Sequence, residues 1–203
     1  IVTGLLLQLL AHNGLQAQEI PDSLLKKLAT VSNDSTKGIT LLEIGESIEQ
    51  VAPEKSMDYY RQALALGQQI KNNRVLLSSY TDLGICYINL NKMDSAIMTL
   101  EKGIPYTRLL KDTVQEARTL ANIGNAWLHK KDRATAIEYY LKAARIWETC
   151  SDQRYLAMLY SNTSALLDEQ KEHTRAVEFG NKAVALAQKT GDTYSEVVAL
   201  VNL

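Results

Sequence analysis

The chain has 203 residues, of which 46% are hydrophobic and 22% are charged, a balance typical of a globular protein. Lysine and arginine together number 22 against 23 acidic residues, and the net charge of -1 argues against a dedicated nucleic-acid-binding protein, which usually carries a basic excess. Two cysteines exclude a scaffold of several disulfides, and three prolines with ten glycines are few for the turns of a small all-β domain. The composition therefore favours a helical chain.

The first eighteen residues contain no charged side chain and begin with an apolar run from Ile1 to Ala11. This run has the length of a signal-peptide core and is too short to span a bilayer, which needs about 20 apolar residues. Small residues follow near Ala17, where a signal peptidase could cut. We interpret residues 1–18 as a partial signal peptide and expect the mature protein in the periplasm or otherwise outside the cytoplasm. The alternative is an N-terminal helix that belongs to the fold.

Residues 19–37 form the next segment. Leu24, Leu25 and Leu28 lie at helical spacing, so the segment predicts a short helix with one apolar face. Such a helix could cap the structure that follows or could occupy its ligand-binding groove.

A period of forty residues organises the chain from residue 38 onward. One small and one apolar residue recur side by side in four successive units, and further apolar columns follow four, seven and ten residues after the first. These offsets form one stripe of an α-helix. The first two columns are Ser56, Ala96, Ala136 and Ala176, then Met57, Ile97, Ile137 and Val177.

A second helix precedes each of these stripes. Its apolar and glycine columns have spacings of three, one and three, which again make one helix face. Polar residues at steps of forty separate the units and suit the first position of a helix, where their side chains can accept a backbone N–H. These predicted helix caps are Asn72, Asp112, Asp152 and Asp192. The repeating unit is therefore helix–turn–helix.

The motif Y-x2-L-G-x2-Y at residues 80–87, followed by Ala96, resembles the tetratricopeptide repeat. The motif L-x2-I-G-x2-W at residues 120–127, followed by Ala136 and Tyr140, resembles it again. The family unit has about 34 residues, and the forty-residue unit is similar to those of kinesin light chains and bacterial peptide-sensing regulators. The resemblance implies an all-α solenoid of antiparallel helix pairs. The units are about 38–73, 77–113, 117–153 and 157–193, with a truncated fifth unit from 197 that would continue in a longer protein.

The fourth unit departs from the repeat pattern, and a tryptophan in the third unit suggests a contact between units. The fourth unit has Ser164 and Gly180 where larger or more typical residues are expected, which predicts looser packing there. Trp147, late in the second helix of its unit, is predicted to anchor one unit to the next.

The resemblance also implies a peptide-binding groove, because the first helix of each pair lines a concave face in this family. Asn122, Asn162 and Asn202 keep the forty-residue step on that face. Their amides could bond a peptide backbone or could tie neighbouring repeats together, and the sequence leaves both readings open. The candidate groove residues are Asp82, Ile85, Asn89, Arg118, Asn122, Asn125, His129, Met158, Asn162, Asp168 and Asn202.

The sequence predicts no catalytic or metal site. His129 and His173 are 44 residues apart and have no cysteine or acidic residue at ligand spacing, and no glycine-rich phosphate loop occurs. Some family members clamp a C-terminal carboxylate, but the cationic places of that clamp fall at Ala121, Val198 and Asn202. We therefore expect no enzyme, no cofactor and no nucleic-acid partner.

The function we expect is protein or peptide binding. The combination of a signal peptide and forty-residue repeats resembles the extracytoplasmic input region of Bacteroidetes-type sensor kinases or regulators, with transmembrane and kinase or regulator domains following residue 203. Two alternatives stay open. One is a stand-alone periplasmic adaptor for envelope assembly, and the other is a cytoplasmic peptide-sensing regulator, in which residues 1–18 would fold as a helix.

Overall fold

The computed structural model describes residues 20–150 and 153–192. Within these ranges the chain forms nine α-helices and no strand, which confirms the all-α prediction. The helices are α1 (Asp22–Thr30), α2 (Asp34–Ile48), α3 (Pro53–Ile70), α4 (Asn73–Asn89), α5 (Met93–Leu109), α6 (Thr113–His129), α7 (Arg133–Trp147), α8 (Arg154–Glu169) and α9 (His173–Thr190). The predictions for residues 1–18, for Asp152 and for the fifth unit with Asn202 lie outside the described residues.

The chain divides into two compact units, residues 1–86 and residues 87–203. In the first unit, α1 packs against α2, where Lys27 Nζ lies 2.6 Å from Glu43 Oε2, and α2 pairs with α3. In the second unit, each helix from α5 to α9 packs against the next. Tight turns of two or three residues reverse the chain between most of these helices. Antiparallel pairs are formed by α2 with α3, by α6 with α7 and by α8 with α9.

A residue with left-handed backbone geometry follows six of these helices, at steps of twenty residues from 71 to 131 and again from 171 to 191. This geometry reverses the chain and ends a helix, and glycine usually occupies it because other residues are strained there by about 1–2 kcal/mol. Here lysine or asparagine takes five of the six positions. They are Lys71 (φ 53°), Asn91 (φ 57°), Lys111 (φ 54°), Lys131 (φ 63°), Lys171 (φ 63°) and Gly191 (φ 67°).

The next residue often caps the following helix. The Asn72 side chain accepts from Val75 N at 3.1 Å, and the Asp112 carboxylate accepts from Gln115 N at 3.0 Å, which confirms both as predicted caps. Asp132 does the same at the start of α7, where hydrogen bonds from Thr135 lower the pKa of its carboxyl. Turn and cap together fix where each helix begins and ends.

The predicted stripes form the cores of the helix pairs. Ala96, Ala136 and Ala143 are fully buried, and Ile137 is 6% exposed. Val177, in the same column as Ile137, is 47% exposed. The difference follows from position, because α9 is the last described helix and no described pair follows to cover it.

In two helix pairs, the glycine of the first helix lies against an aromatic ring of the second helix, which leaves no room for a side chain. A Cβ on Gly124 would lie 2.7 Å from the Tyr140 ring, and a Cβ on Gly45 would lie 2.3 Å from the Tyr60 ring. In the fourth pair, the tyrosine column holds Gly180 and the glycine column holds a serine.

That serine, Ser164, is fully buried, and its Oγ donates to the carbonyl oxygen of Ala176 at 2.7 Å. The structure therefore gives the fourth pair a specific buried contact where the sequence predicted looser packing. A larger residue on the first helix, Ser164, therefore goes with a smaller one on the second, Gly180, whereas Gly124 goes with Tyr140.

Candidate functional site

A pocket with a volume of about 320 Å³ lies between α6 and α8 in the second unit. Five of the predicted groove residues line it, and four other residues complete it. The lining consists of Arg118, Ala121, Asn122 and Asn125 from α6, Trp147 from the end of α7, and Tyr155, Met158, Leu159 and Asn162 from α8.

The floor of the pocket is aromatic and belongs to the core. Trp147 is only 2% exposed, and its ring stacks on that of Tyr155 with centroids 5.2 Å apart and planes 17° from parallel. Leu159 is 1% exposed beside them, while Tyr155 and Met158 are partly open to solvent. Trp147 therefore joins the third helix pair to the fourth, which confirms its predicted role as an anchor.

The three asparagines of the pocket are not equivalent. Asn125 Oδ1 accepts a hydrogen bond from Tyr140 Oη at 2.6 Å, so this amide ties the two helices of its own pair together. Burial raises the pKa of Tyr140 to about 12, which keeps its hydroxyl a donor at neutral pH. Asn122 and Asn162 are half-buried, and neither side chain has a hydrogen-bond partner among the described residues. Their donors and acceptors remain available to a ligand.

Arg118 supplies the only formal charge among the nine lining residues. Its guanidinium carbon lies 5.1 Å from the centroid of the Tyr155 ring, a cation–π arrangement. No carboxylate of the described residues forms an ion pair with it. The pocket therefore combines a cation, two free amides and an apolar floor.

Several predicted groove residues lie elsewhere. His129 is the exposed last residue of α6, and Asp168 Oδ1 lies 2.7 Å from His173 Nδ1 at the turn between α8 and α9. The sequence indicated no acidic partner for His173, and this contact supplies one. Asn89 is the exposed last residue of α4 and does not line the pocket.

Asp82 and Ile85 lie in the first unit, on α4. Burial, and then the carboxylates of Glu49 and Glu46, raise the pKa of Asp82 to about 7. Glu49 also accepts a hydrogen bond from Tyr60 Oη at 3.0 Å. Burial, and then the carboxylates of Glu49 and Asp82, raise the pKa of the nearby Cys86 thiol to about 12, so it stays protonated at neutral pH.

Sequence reasoning missed Tyr155 and Leu159, and it assigned Trp147 to packing alone. The prediction considered only residues of the first helices that lie off the core stripe, whereas Trp147 comes from a second helix. Its aromatic type, next to Tyr155 at the start of the following helix, was the available signal.

Neither a metal site nor a membrane-spanning helix is found among the described residues. Across residues 20–150 and 153–192, no three His, Cys, Asp or Glu side chains are arranged to hold a metal ion. In the same ranges, every helix is too short or too polar to cross a bilayer.

Comparison with solved structures identifies proteins of the same fold. The chain superposes with a TM-score of 0.79 on aspartyl phosphate phosphatase F from Bacillus subtilis, at 24% identity over 88% of this chain and 48% of that one. It superposes on BtubC from P. vanneervenii with a TM-score of 0.74, at 13% identity over 84% and 71% of the two chains. A Rap protein complexed with competence and sporulation factor gives a TM-score of 0.72, at 19% identity over 84% and 48%.

These identities are low, so the likeness shows the fold alone. The chain spans about half the length of the phosphatase and of the Rap protein. A search of curated proteins gave no match.

Comparison with family models is more specific. One tetratricopeptide-repeat model matches residues 77–104, and another matches residues 115–189. Together they cover half of the sequence, and the second includes every residue that lines the pocket. The chain therefore belongs to the tetratricopeptide-repeat family.

Proposed function

We propose that this chain is a binding module that takes an extended peptide segment of a partner into the pocket between α6 and α8. The observation that carries the proposal is the pair of free amides, Asn122 and Asn162, on facing helices above an apolar floor. Each residue of an extended peptide offers one N–H and one carbonyl oxygen, and a side-chain amide can pair with both. Two such amides would hold the backbone while the exposed side chains of Tyr155 and Met158 contact a ligand side chain.

Other observations support peptide binding rather than chemistry at this place. The nine lining residues include no His, Cys, Asp, Glu, Ser or Lys, and Tyr155, their one acid–base candidate, packs against Trp147 and Arg118. A protein of similar fold is a Rap protein in complex with competence and sporulation factor, so the same architecture holds a ligand in another chain.

The test is affinity selection on the immobilised full chain with a random pool of acetylated and amidated hexapeptides. We expect the native chain to enrich a subset of peptides, and the double variant Asn122→Ala/Asn162→Ala to bind that subset at least about tenfold more weakly. Each lost hydrogen bond contributes about 0.5–1.5 kcal/mol, and a tenfold change corresponds to about 1.4 kcal/mol.

The matched control is Asn181→Ala, which removes an exposed amide on α9 outside the pocket and should leave enrichment unchanged. Circular dichroism of all variants checks that they fold. Unchanged enrichment by the folded double variant would count against the proposal.

We also propose that the module works outside the cytoplasm, as the input region of a larger membrane-bound signalling protein. The support is the uncharged apolar sequence of residues 1–18. A fusion of the gene, from its start codon through residue 37, to alkaline phosphatase, whose disulfides form only outside the cytoplasm, should be active in bacteria. The same fusion without residues 1–18 should be inactive. Equal activity of the two fusions would favour the cytoplasmic regulator, whereas a stop codon soon after residue 203 would favour the stand-alone adaptor.

A further inference from the structure

We propose that the pocket selects peptide segments in which an acidic side chain neighbours an apolar one, and that Arg118 pairs with the carboxylate. This inference rests on the proposed function, because it specifies which peptides the pocket takes. The occupant is a partner protein's acidic segment, and charge complementarity with the pocket is the argument for it.

The first observation is that Arg118 is exposed and lacks an anionic partner among the described residues. Three other arginines of the second unit are neutralised within the chain, since Arg108, Arg133 and Arg175 each form an ion pair with a glutamate. An arginine stays charged throughout the physiological pH range. The pocket therefore presents a permanent positive charge that no residue of its lining balances.

The second observation is that Arg118 is held in place. Its guanidinium lies over the Tyr155 ring at 5.1 Å, and that ring stacks in turn on the buried Trp147. The ring attracts the guanidinium through its face, and the five N–H donors of an arginine exceed what such a contact can engage. Those N–H groups match the two oxygens of a carboxylate, and the arrangement reduces the entropy lost on binding.

The third observation is the neighbourhood of Arg118. Asn122 lies one helical turn further along α6, so the two side chains are about 5–6 Å apart at their Cβ atoms. An extended peptide advances about 3.3 Å per residue, so Asn122 can bond the backbone within two residues of the acidic side chain. Met158 and Tyr155 line the same pocket, are open to solvent and would contact an apolar ligand side chain. A lysine in place of the acidic residue would be repelled by Arg118.

The experiment measures binding of three fluorescent hexapeptide pools to the full chain by anisotropy. All peptides are acetylated and amidated, so they carry no terminal charge, and one central position is fixed as Glu, Gln or Lys. We expect the Glu pool to bind about tenfold more tightly than the Gln pool, and the Lys pool to bind most weakly.

Arg118→Gln should weaken binding of the Glu pool to the level of the Gln pool and so abolish the preference for Glu. Arg145→Gln, at an exposed arginine of α7 outside the pocket, is the control and should keep the preference. Equal binding of the Glu and Gln pools by the native chain, or a preference that survives Arg118→Gln, would overturn the acidic selectivity while peptide binding stands. Failure of all three pools to bind would overturn the proposed function and this inference together.

Discussion

Replacing Trp147 with alanine should lower the free energy of unfolding of the second unit by about 3–5 kcal/mol. The side chain is 2% exposed and belongs to a core cluster that contains Tyr140 from its own helix pair and Leu156 and Leu159 from the next. Its loss would leave a cavity at the junction of the two pairs and remove the stacking partner of Tyr155. Urea denaturation followed by circular dichroism measures the change.

Two variants separate burial from stacking. Trp147→Phe keeps an aromatic ring and should lose less stability than the alanine variant. Tyr155→Ala removes only the partly exposed member of the stacked pair and should lower the free energy of unfolding by about 1 kcal/mol. If Trp147→Ala is no more destabilising than Tyr155→Ala, Trp147 does not anchor the two helix pairs.

The second large effect should be a pH dependence of stability that originates at Asp82. Its ordinary pKa of 3.8 rises to about 7 in the folded chain, so the folded state holds a proton that the unfolded state releases. The resulting stabilisation is fully present below about pH 4 and is lost as the pH rises through 7. Each unit of pKa corresponds to about 1.4 kcal/mol, and because Asp82 is half-buried we expect a total of about 2–4 kcal/mol.

Asp82→Asn should remove most of this dependence, because asparagine stays neutral at every pH. Above pH 8 the variant should therefore unfold at a higher urea concentration than the native chain. Asp58→Asn, at an exposed carboxylate of the same unit, is the matched control and should keep the native pH profile. A flat profile for the native chain between pH 4 and 8 would contradict the raised pKa.

The sequence predicted the repeating helix pairs well because their determinants are local and periodic. Columns such as Ala96 and Ala136 lie at fixed offsets, and caps such as Asp112 act on residues only three positions away. Each of these features can be identified along the chain without knowledge of the packing. Because the same columns and caps recur every forty residues, each helix pair supports the prediction made from the others.

The roles of individual pocket residues could not be predicted in the same way. Asn122 and Asn125 are both amides on α6, and only the packing of α7 shows that Tyr140 engages the second and not the first. The pKa of Asp82 depends on Glu46 and Glu49, which are more than thirty residues away in sequence. These properties come from contacts between helices, and the sequence alone does not encode such contacts in any local pattern.

The turn residues with left-handed backbone geometry, such as Lys111 and Lys131, limit how this chain can lengthen or shorten by duplication or deletion. The turn within a helix pair and the turn between pairs have the same backbone geometry, as at Lys131 and Lys111. A gain or loss of forty residues between two such positions rejoins equivalent turns and keeps glycines such as Gly45 and Gly124 opposite their tyrosines. A change of twenty residues would preserve the turns equally well but would exchange first helices for second helices, placing core tyrosines opposite tyrosines. Side-chain size, and not backbone geometry, therefore makes a whole pair of helices the unit by which the chain can lengthen.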